Sequence, residues 1–270
     1  MTVPFRTAKS LLFVPGNRDE RIPKALASDA DAVIVDLEDA VTPDAKESAR
    51  RAVSAFLAAT PSTRVLLRIN PVGSPWYAGD VALAAHPGVA GVVLPKASRN
   101  ALSRAALDTD TPLWPLVETA QGLLDLAAMA RMTGVARMLL GTIDLALDLG
   151  LDEGQSGGRA MLDMARYDLV TVCAAAGLAP PADGVFADLA DAEGLAAAAA
   201  HARACGLTGM MCIHPKQAAT VNAAFAPSAA QIDWARRVQQ AAIGQNGAFR
   251  FEGQMIDKPV LERAARLLSS

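Results

Sequence analysis

Residues 136–150 read ARMLLGTIDLALDLG, and this stretch decides the fold. Met138, Leu139 and Leu140 form a short apolar run, Gly141 loosens the backbone, and Asp144 stands where the run ends. Leu145, Leu147 and Leu149 follow, closed by Gly150. An unbroken apolar run is how a parallel strand buried on both faces is written, and the C-terminal end of such a strand is where these folds place chemistry. Asp144 is therefore either a ligand at a strand end or the N-cap of the next helix, a position aspartate fills well.

The same grammar recurs outward in both directions. Short apolar runs at 10–15, 32–37, 65–69, 89–94, 112–117, 138–142, 183–186 and 210–213 read as eight strands. Helical periodicity separates them at 18–27, 43–59, 78–85, 99–107, 121–132, 158–176 and 189–205. Further helices are expected at 216–225 and 228–243, then a turn-like GAFRFEGQMIDKP and a terminal helix. Pro115 weakens the fifth strand, because proline donates nothing to a ladder. Eight strand–helix alternations predict a (β/α)8 TIM barrel over 1–226, followed by a C-terminal helical extension over 227–270. The open doubly wound alternative lacks a G-x-G-x-x-G after the first strand.

Composition narrows the function. The chain has 270 residues, is 52% hydrophobic, and carries a net charge of −3. That balance points to neither nucleic acid nor an anionic membrane surface. No apolar run approaches the ~20 residues of a membrane helix, and residues 1–10 lack a signal-peptide core. The three cysteines, Cys173, Cys205 and Cys212, form no C-x-x-C pair and read as free packing thiols in a reducing cytoplasm. His86 and His201 read as surface or packing residues on helices.

A barrel would bring the strand ends Asp36, Glu38, Asp39, Arg68, Lys96, Glu118, Asp144 and His214 to one rim. Two carboxylates about 4 Å apart repel by roughly 4 kcal/mol at an effective dielectric near 20, so this acidic rim calls for cations. Arg68 and Lys96 supply some. Oxygen ligands at two strand ends suit Mg²⁺, and Glu118 with Asp144 is the pair selected. Zinc is disfavoured, since no His/Cys group stands out with ligand spacing. The structural alternatives are a first-turn glutamate for Glu118, capping and arginine pairing for Asp36, Glu38 and Asp39, an ion pair for Arg68, a solvated Lys96, and loop shaping for His214.

Read together, SLLFVPGNRDERIPKAL, AVIVDLEDAV, LLRIN, PLVETA, GTIDLALDLG, CIHPKQ and GQMIDKP resemble the citrate lyase β-subunit family, also called the HpcH/HpaI aldolase family. The resemblance runs from Ser10 to Pro259. It implies a Mg²⁺-dependent C–C lyase acting on a 3-hydroxyacyl-CoA of the citramalyl-, citryl- or malyl-CoA type, assembled as a homotrimer or hexamer. Glu118 and Asp144 would hold the metal. Arg68 would bind substrate and stabilise an enolate, with Glu118 also touching substrate and Lys24 and Arg21 contacting substrate or CoA. Asp257 would be a catalytic aspartate delivered from a neighbour's tail. Where some relatives carry lysine near position 20, this chain has Glu20 between Arg18 and Arg21. The rival expectations are a thioesterase on malyl-CoA-like substrates, the β subunit of a multi-subunit citrate lyase acting on an acyl carrier protein, and a CoA-thioester-binding protein without turnover.

Overall fold

Ser10–Pro15 (β1) and Ala32–Asp36 (β2) open an eight-stranded parallel sheet that continues through Val65–Arg68 (β3), Val89–Leu94 (β4), Leu113–Val117 (β5), Arg137–Leu140 (β6), Ala179–Ala182 (β7) and Met210–Cys212 (β8). The computed structural model describes residues 5–60 and 64–269. Neighbouring strands follow chain order from β1 to β7, and β8 returns to pair with β1. One parallel bridge, Asp183 to Met210, closes β7 onto β8. The result is the expected (β/α)8 barrel. Among the described residues no helix is long and apolar enough to cross a membrane.

Ile22–Leu26 (α1), Lys46–Ala59 (α2), Tyr77–Ala84 (α3), Arg99–Asp108 (α4), Ala120–Met129 (α5), Thr142–Leu149 (α6), Ser156–Ala175 (α7) and Ala192–Ala204 (α8) provide the crossovers. Every residue of β2, β4, β5 and β6 is buried, which is why these strands read as continuous apolar runs rather than alternating ones. The inward set nonetheless keeps a period of two. Leu11, Ile34, Leu66, Val93, Trp114, Leu116 and Leu139 belong to one interior cluster. Two residues on from Ile34, Leu66, Leu116 and Leu139 stand Asp36, Arg68, Glu118 and Gly141. The alternation that fills the barrel thus carries these positions into its C-terminal mouth.

The seventh strand differs from expectation. It is Ala179–Ala182, not residues 183–186. Pro180 and Pro181 look like breakers, but here they need only accept: Thr208 N donates to Pro181 O, and Arg137 Nε donates to Pro180 O at 2.8 Å. Arg137 is fully buried at the opposite end of the barrel and also donates to Ala8 O at 2.6 Å. It links the starts of β1, β6 and β7, and among the described residues it has no carboxylate partner. Pro115 is accommodated in a related way. Leu113 N donates to Gly134 O, so by alternation position 115 faces the same side. There the pairing jumps from Leu113–Val135 to Leu116–Leu139, and the ladder omits the missing donor.

The chain divides into two compact units, Met1–Asn222 and Ala223–Ser270. Helix Pro215–Phe225 (α9) runs across the division. The second unit holds Ala229–Ala241 (α10), an antiparallel hairpin of Phe249–Phe251 (β9) and Gln254–Ile256 (β10), and Lys258–Ser269 (α11). Ala235, Val238, Ile256 and Ala264 form its core. The stretch expected to be a turn is this hairpin, whose two-residue loop, Glu252-Gly253, takes φ of 45° and 79°. Two positive φ values are what a tight right-twisted hairpin requires, and glycine takes the second without strain.

Candidate active site

The barrel mouth holds a cavity of about 450 Å³ whose walls include Phe13, Asp36, Arg68, Glu118, Gly141 and Asp144. Larger hollows lie elsewhere, but this one gathers charge from four strand ends. Arg68 is the cation on its wall. Its Nε and Nη2 donate to Asp36 Oδ1 and Oδ2 at 2.7 and 2.6 Å, a bidentate pair. Asp36 also accepts from Glu38 N and Ala40 N, so both its oxygens are engaged. Nη1 lies 3.1 Å from Glu38 Oε2 and 3.7 Å from Asp39 Oδ2. The Arg68 guanidinium stacks 4.8 Å from the Phe13 ring centroid. Burial lowers its pKa, but these acids, Asp36 above all, hold Arg68 above its ordinary value.

Lys96 joins two acids. Its Nζ donates to Glu38 Oε1 at 2.9 Å, and its backbone N–H donates to Glu118 Oε1 at 2.7 Å. Lys96 adopts φ of 46°, a region costly for a residue with a Cβ, and that backbone carries the N–H aimed at Glu118. Lys46, itself buried, donates to Leu37 O and Glu38 O and pins the acidic loop from beneath.

Glu118 is 2% exposed. Burial pushes its carboxyl up to about 8, the Glu38 and Asp144 carboxylates add to the rise, and the Lys96 N–H opposes it. Thr119 rather than Glu118 caps α5, accepting from Gly122 N, and α5 starts at Ala120. The first-turn reading of Glu118 is thus set aside. Asp144 is not a cap either: Gly141 holds that position, and Asp144 falls in the first turn of α6, half-buried on the same cavity as Glu118.

Gly141 makes the approach possible. A Cβ there would lie 2.6 Å from Glu118 Cβ and 2.7 Å from Glu118 Oε2. Gly141→Ala is expected to swing the Glu118 carboxylate away and weaken divalent-cation binding at least tenfold, while the denaturation midpoint moves little; calorimetric titration with Mg²⁺ reads the first and urea unfolding the second. Equal affinity in variant and parent would show that this close approach is immaterial.

Not every predicted residue reaches the cavity. Arg21 and Lys24 are exposed on the first crossover, outside the cavity lining. Glu20 pairs with Arg18 at 2.7 Å and lies 3.9 Å from Arg21. His214 shapes the eighth loop: its Nδ1 accepts from Lys216 N. Asp257 lies in the second unit, where Oδ1 accepts from Val260 N at the start of α11. Phe13, Gly141 and the Lys96 main chain were not legible as site elements. Buried Gln217 was also missed: its Oε1 accepts from Ile213 N and its Nε2 donates to Phe186 O, tying the loops after β7 and β8.

A closed parallel barrel that gathers carboxylates and a guanidinium at its C-terminal mouth defines the class: a (β/α)8 barrel with its charged groups on the rim where such folds carry their sites. Residues 9–215 match the model of the HpcH/HpaI aldolase/citrate lyase family, and the chain belongs to that family. It is 39% identical over 261 residues to a citrate lyase subunit beta-like protein of Mycobacterium tuberculosis, covering 95% of this chain and 93% of that one. It is 38% identical over 238 residues to a (3S)-malyl-CoA thioesterase of Cereibacter sphaeroides, covering 87% and 81%. The crystal structure of protein CitE from M. tuberculosis in complex with magnesium, acetoacetate and coenzyme A superposes with a TM-score of 0.85 at 37% identity, covering 98% of each chain.

Proposed function

We propose that this chain is a magnesium-dependent carbon–carbon lyase. It cleaves a 3-hydroxyacyl-CoA with a carboxylate on the hydroxyl carbon, of the citramalyl-, citryl- or malyl-CoA type, into a 2-keto acid and an acyl-CoA. The observation that carries this reading is the convergence of Glu118 and Asp144 with Arg68 on one cavity. The donor set fits magnesium: the two ligands offer only carboxylate oxygens, and Gly141 leaves Glu118 Oε2 room that any larger residue would fill. Magnesium bound there supplies Lewis-acid polarisation of the substrate's hydroxyl and carboxylate oxygens.

The chain's own residues do the rest. Arg68 is held rigid by Asp36, and its Nη1, near Glu38 without hydrogen-bond alignment, is the donor left for the thioester oxygen. As the hydroxyl proton leaves to solvent, its electron pair closes the keto group, and the C–C pair moves onto the thioester as an enolate. A preorganised donor at that oxygen is worth roughly 3–4 kcal/mol. Asp257 then protonates the enolate carbon. Product analysis tests the reading: keto acid plus acyl-CoA supports it, and absence of both with every candidate thioester ends it. Free CoA with an intact hydroxy acid would instead mark a thioesterase, the second reading, which the 38% identity to the malyl-CoA thioesterase favours.

Asp257 is proposed to act across a subunit boundary in a homotrimer or in a hexamer built as a dimer of trimers. Exposed Leu124, Leu147 and Tyr167, at 82%, 80% and 68%, stand on α5, α6 and α7 and support self-association. Asp257→Asn is expected to slow turnover about 10²-fold or more, as loss of a general acid does, without altering the fold. Mixed oligomers of Asp257→Asn and Glu118→Gln chains should regain activity that neither parent has; inactive mixtures of well-folded oligomers would refute delivery in trans. Arg21 and Lys24 are proposed as contacts to the CoA phosphates. Replacing both with alanine should raise KM for the thioester severalfold and leave kcat near the parent value, and an unchanged KM would remove them from the site.

A further inference from the structure

A second cavity, of about 600 Å³, lies beside α7 and α8, and Asp163, Arg166, Asp183 and His201 are among its walls. His201 and Cys205, expected to be packing residues, stand one turn apart at the end of α8. Asp163 comes from α7. His201 Nε2 lies 2.8 Å from Asp163 Oδ1 and 3.6 Å from Cys205 Sγ, and the three donor atoms all lie within 4.8 Å of one another. A cysteine–histidine–aspartate relay would use the two different imidazole nitrogens. Here both contacts fall on Nε2. One nitrogen offers a single proton or a single lone pair, so it cannot satisfy carboxylate and thiol together. A carboxylate oxygen, an imidazole nitrogen and a thiol sulfur grouped this closely match instead the donor set of a metal ion.

We propose that Asp163, His201 and Cys205 form a binding site for a thiophilic divalent cation of the zinc type, separate from the barrel mouth. Ligands at 2.0–2.3 Å in a tetrahedron stand about 3.3–3.5 Å apart; the nitrogen–sulfur distance of 3.6 Å is close to that, and the nitrogen–oxygen distance of 2.8 Å would open by about 0.5 Å on binding. One carboxylate, one thiolate and a neutral imidazole balance a divalent charge, so Arg166 alongside faces no net positive ion. Arg166 Nη1 donates to Asp163 Oδ1, the same oxygen that faces His201, and its Nε donates to Asp183 Oδ2, both at 2.9 Å, so the guanidinium fixes the position of that carboxylate. Asp183 supplies an independent observation. It is 1% exposed on the wall of this cavity, and its Oδ1 has no hydrogen-bond partner among the described residues, an unmet acceptor in a place that would favour a cation or its water. A thiolate ligand excludes magnesium as the intended ion. Bound metal would tie α7 to α8 behind Val185, which lines both this cavity and the mouth.

The test uses the full-length protein, stripped with chelator and titrated with Co²⁺. The thiolate-to-cobalt charge-transfer band should saturate at one equivalent, cobalt held by the carboxylates of the mouth adding nothing to it, and Zn²⁺ should displace it and raise the thermal midpoint. Cys205→Ser should lose the band. His201→Ala and Asp163→Asn should weaken binding tenfold or more, and Glu118→Gln should leave the band unchanged. Cys173 and Cys212 are buried, so the band reports Cys205. His201 is exposed, so its replacement tests the site even if another variant folds poorly. No charge-transfer band in the parent, a band that persists in Cys205→Ser, or parental affinity in either His201→Ala or Asp163→Asn would overturn the proposal.

Discussion

Glu118→Gln is expected to eliminate magnesium-dependent turnover, with a loss of at least about 10²–10³-fold, the scale of one preorganised electrostatic group. Asp144→Asn should behave alike, because the two acids line one cavity. The isosteric amide keeps an oxygen for the Lys96 N–H, so the fold should survive. The pH behaviour separates a ligand from a structural acid. In the metal-free chain, burial with the neighbouring Glu38 and Asp144 raises the Glu118 carboxyl from 4.5 to about 8. A raised folded-state value means the fold favours neutral Glu118. That stability is complete below about 4.5 and is lost as pH climbs through about 8. A cation ligated by Glu118 must displace its proton. Magnesium binding at pH 7 should therefore release close to one proton, and affinity should rise about tenfold per pH unit until pH approaches 8. Calorimetry in two buffers of different ionisation heat reads the proton directly. Equal affinity at pH 6 and pH 8, with no proton released, would remove Glu118 from the metal.

Arg68→Ala should cost both activity and stability, and the stability loss should be large. The guanidinium lies against Asp36 and Glu38, each at most 3% exposed. Removing it leaves two buried acids without their main cation, and breaking a buried pair from one side costs about 3–5 kcal/mol. Urea unfolding measures this, with unfolding slopes compared to confirm the same cooperative transition. Arg68→Lys keeps a charge but cannot grip both Asp36 oxygens, so it should recover part of the stability and little of the turnover. Asp36→Asn supplies the complementary corner of a double-mutant cycle, where a coupling of at least about 1 kcal/mol is expected. An Arg68→Ala protein within about 1 kcal/mol of the parent would mean the acids ionise differently from the paired state described.

Strand positions were legible because burial on both faces leaves a run of apolar residues that no helix of that length would show. The same burial erased the finer pattern. In LWPLVE, nothing in composition separates the inward Trp114, Leu116 and Glu118 from the outward residues between them. The seventh strand lies four residues before its expected place because prolines look like breakers, whereas a proline carbonyl accepts as well as any other. Acidic and basic residues at strand ends were visible as a list. Their pairing was not: that Asp36 engages Arg68 fully while Asp144 stays on the cavity wall depends on distances between strands, not on the neighbours of either residue.

By itself the sequence determined the alternation of eight strands with helices, the order of the strand ends, and the residue types gathered at the barrel mouth, because those follow from local hydrophobic period and chain connectivity. Tertiary structure alone decided which of these side chains touch. Gly141 matters only because Glu118 arrives from another strand, Lys96 serves through its main chain, and Asp163 meets His201 and Cys205 only when α7 packs beside α8. Contacts between residues distant in the chain are set by the closure of the sheet, and no local stretch contains that information.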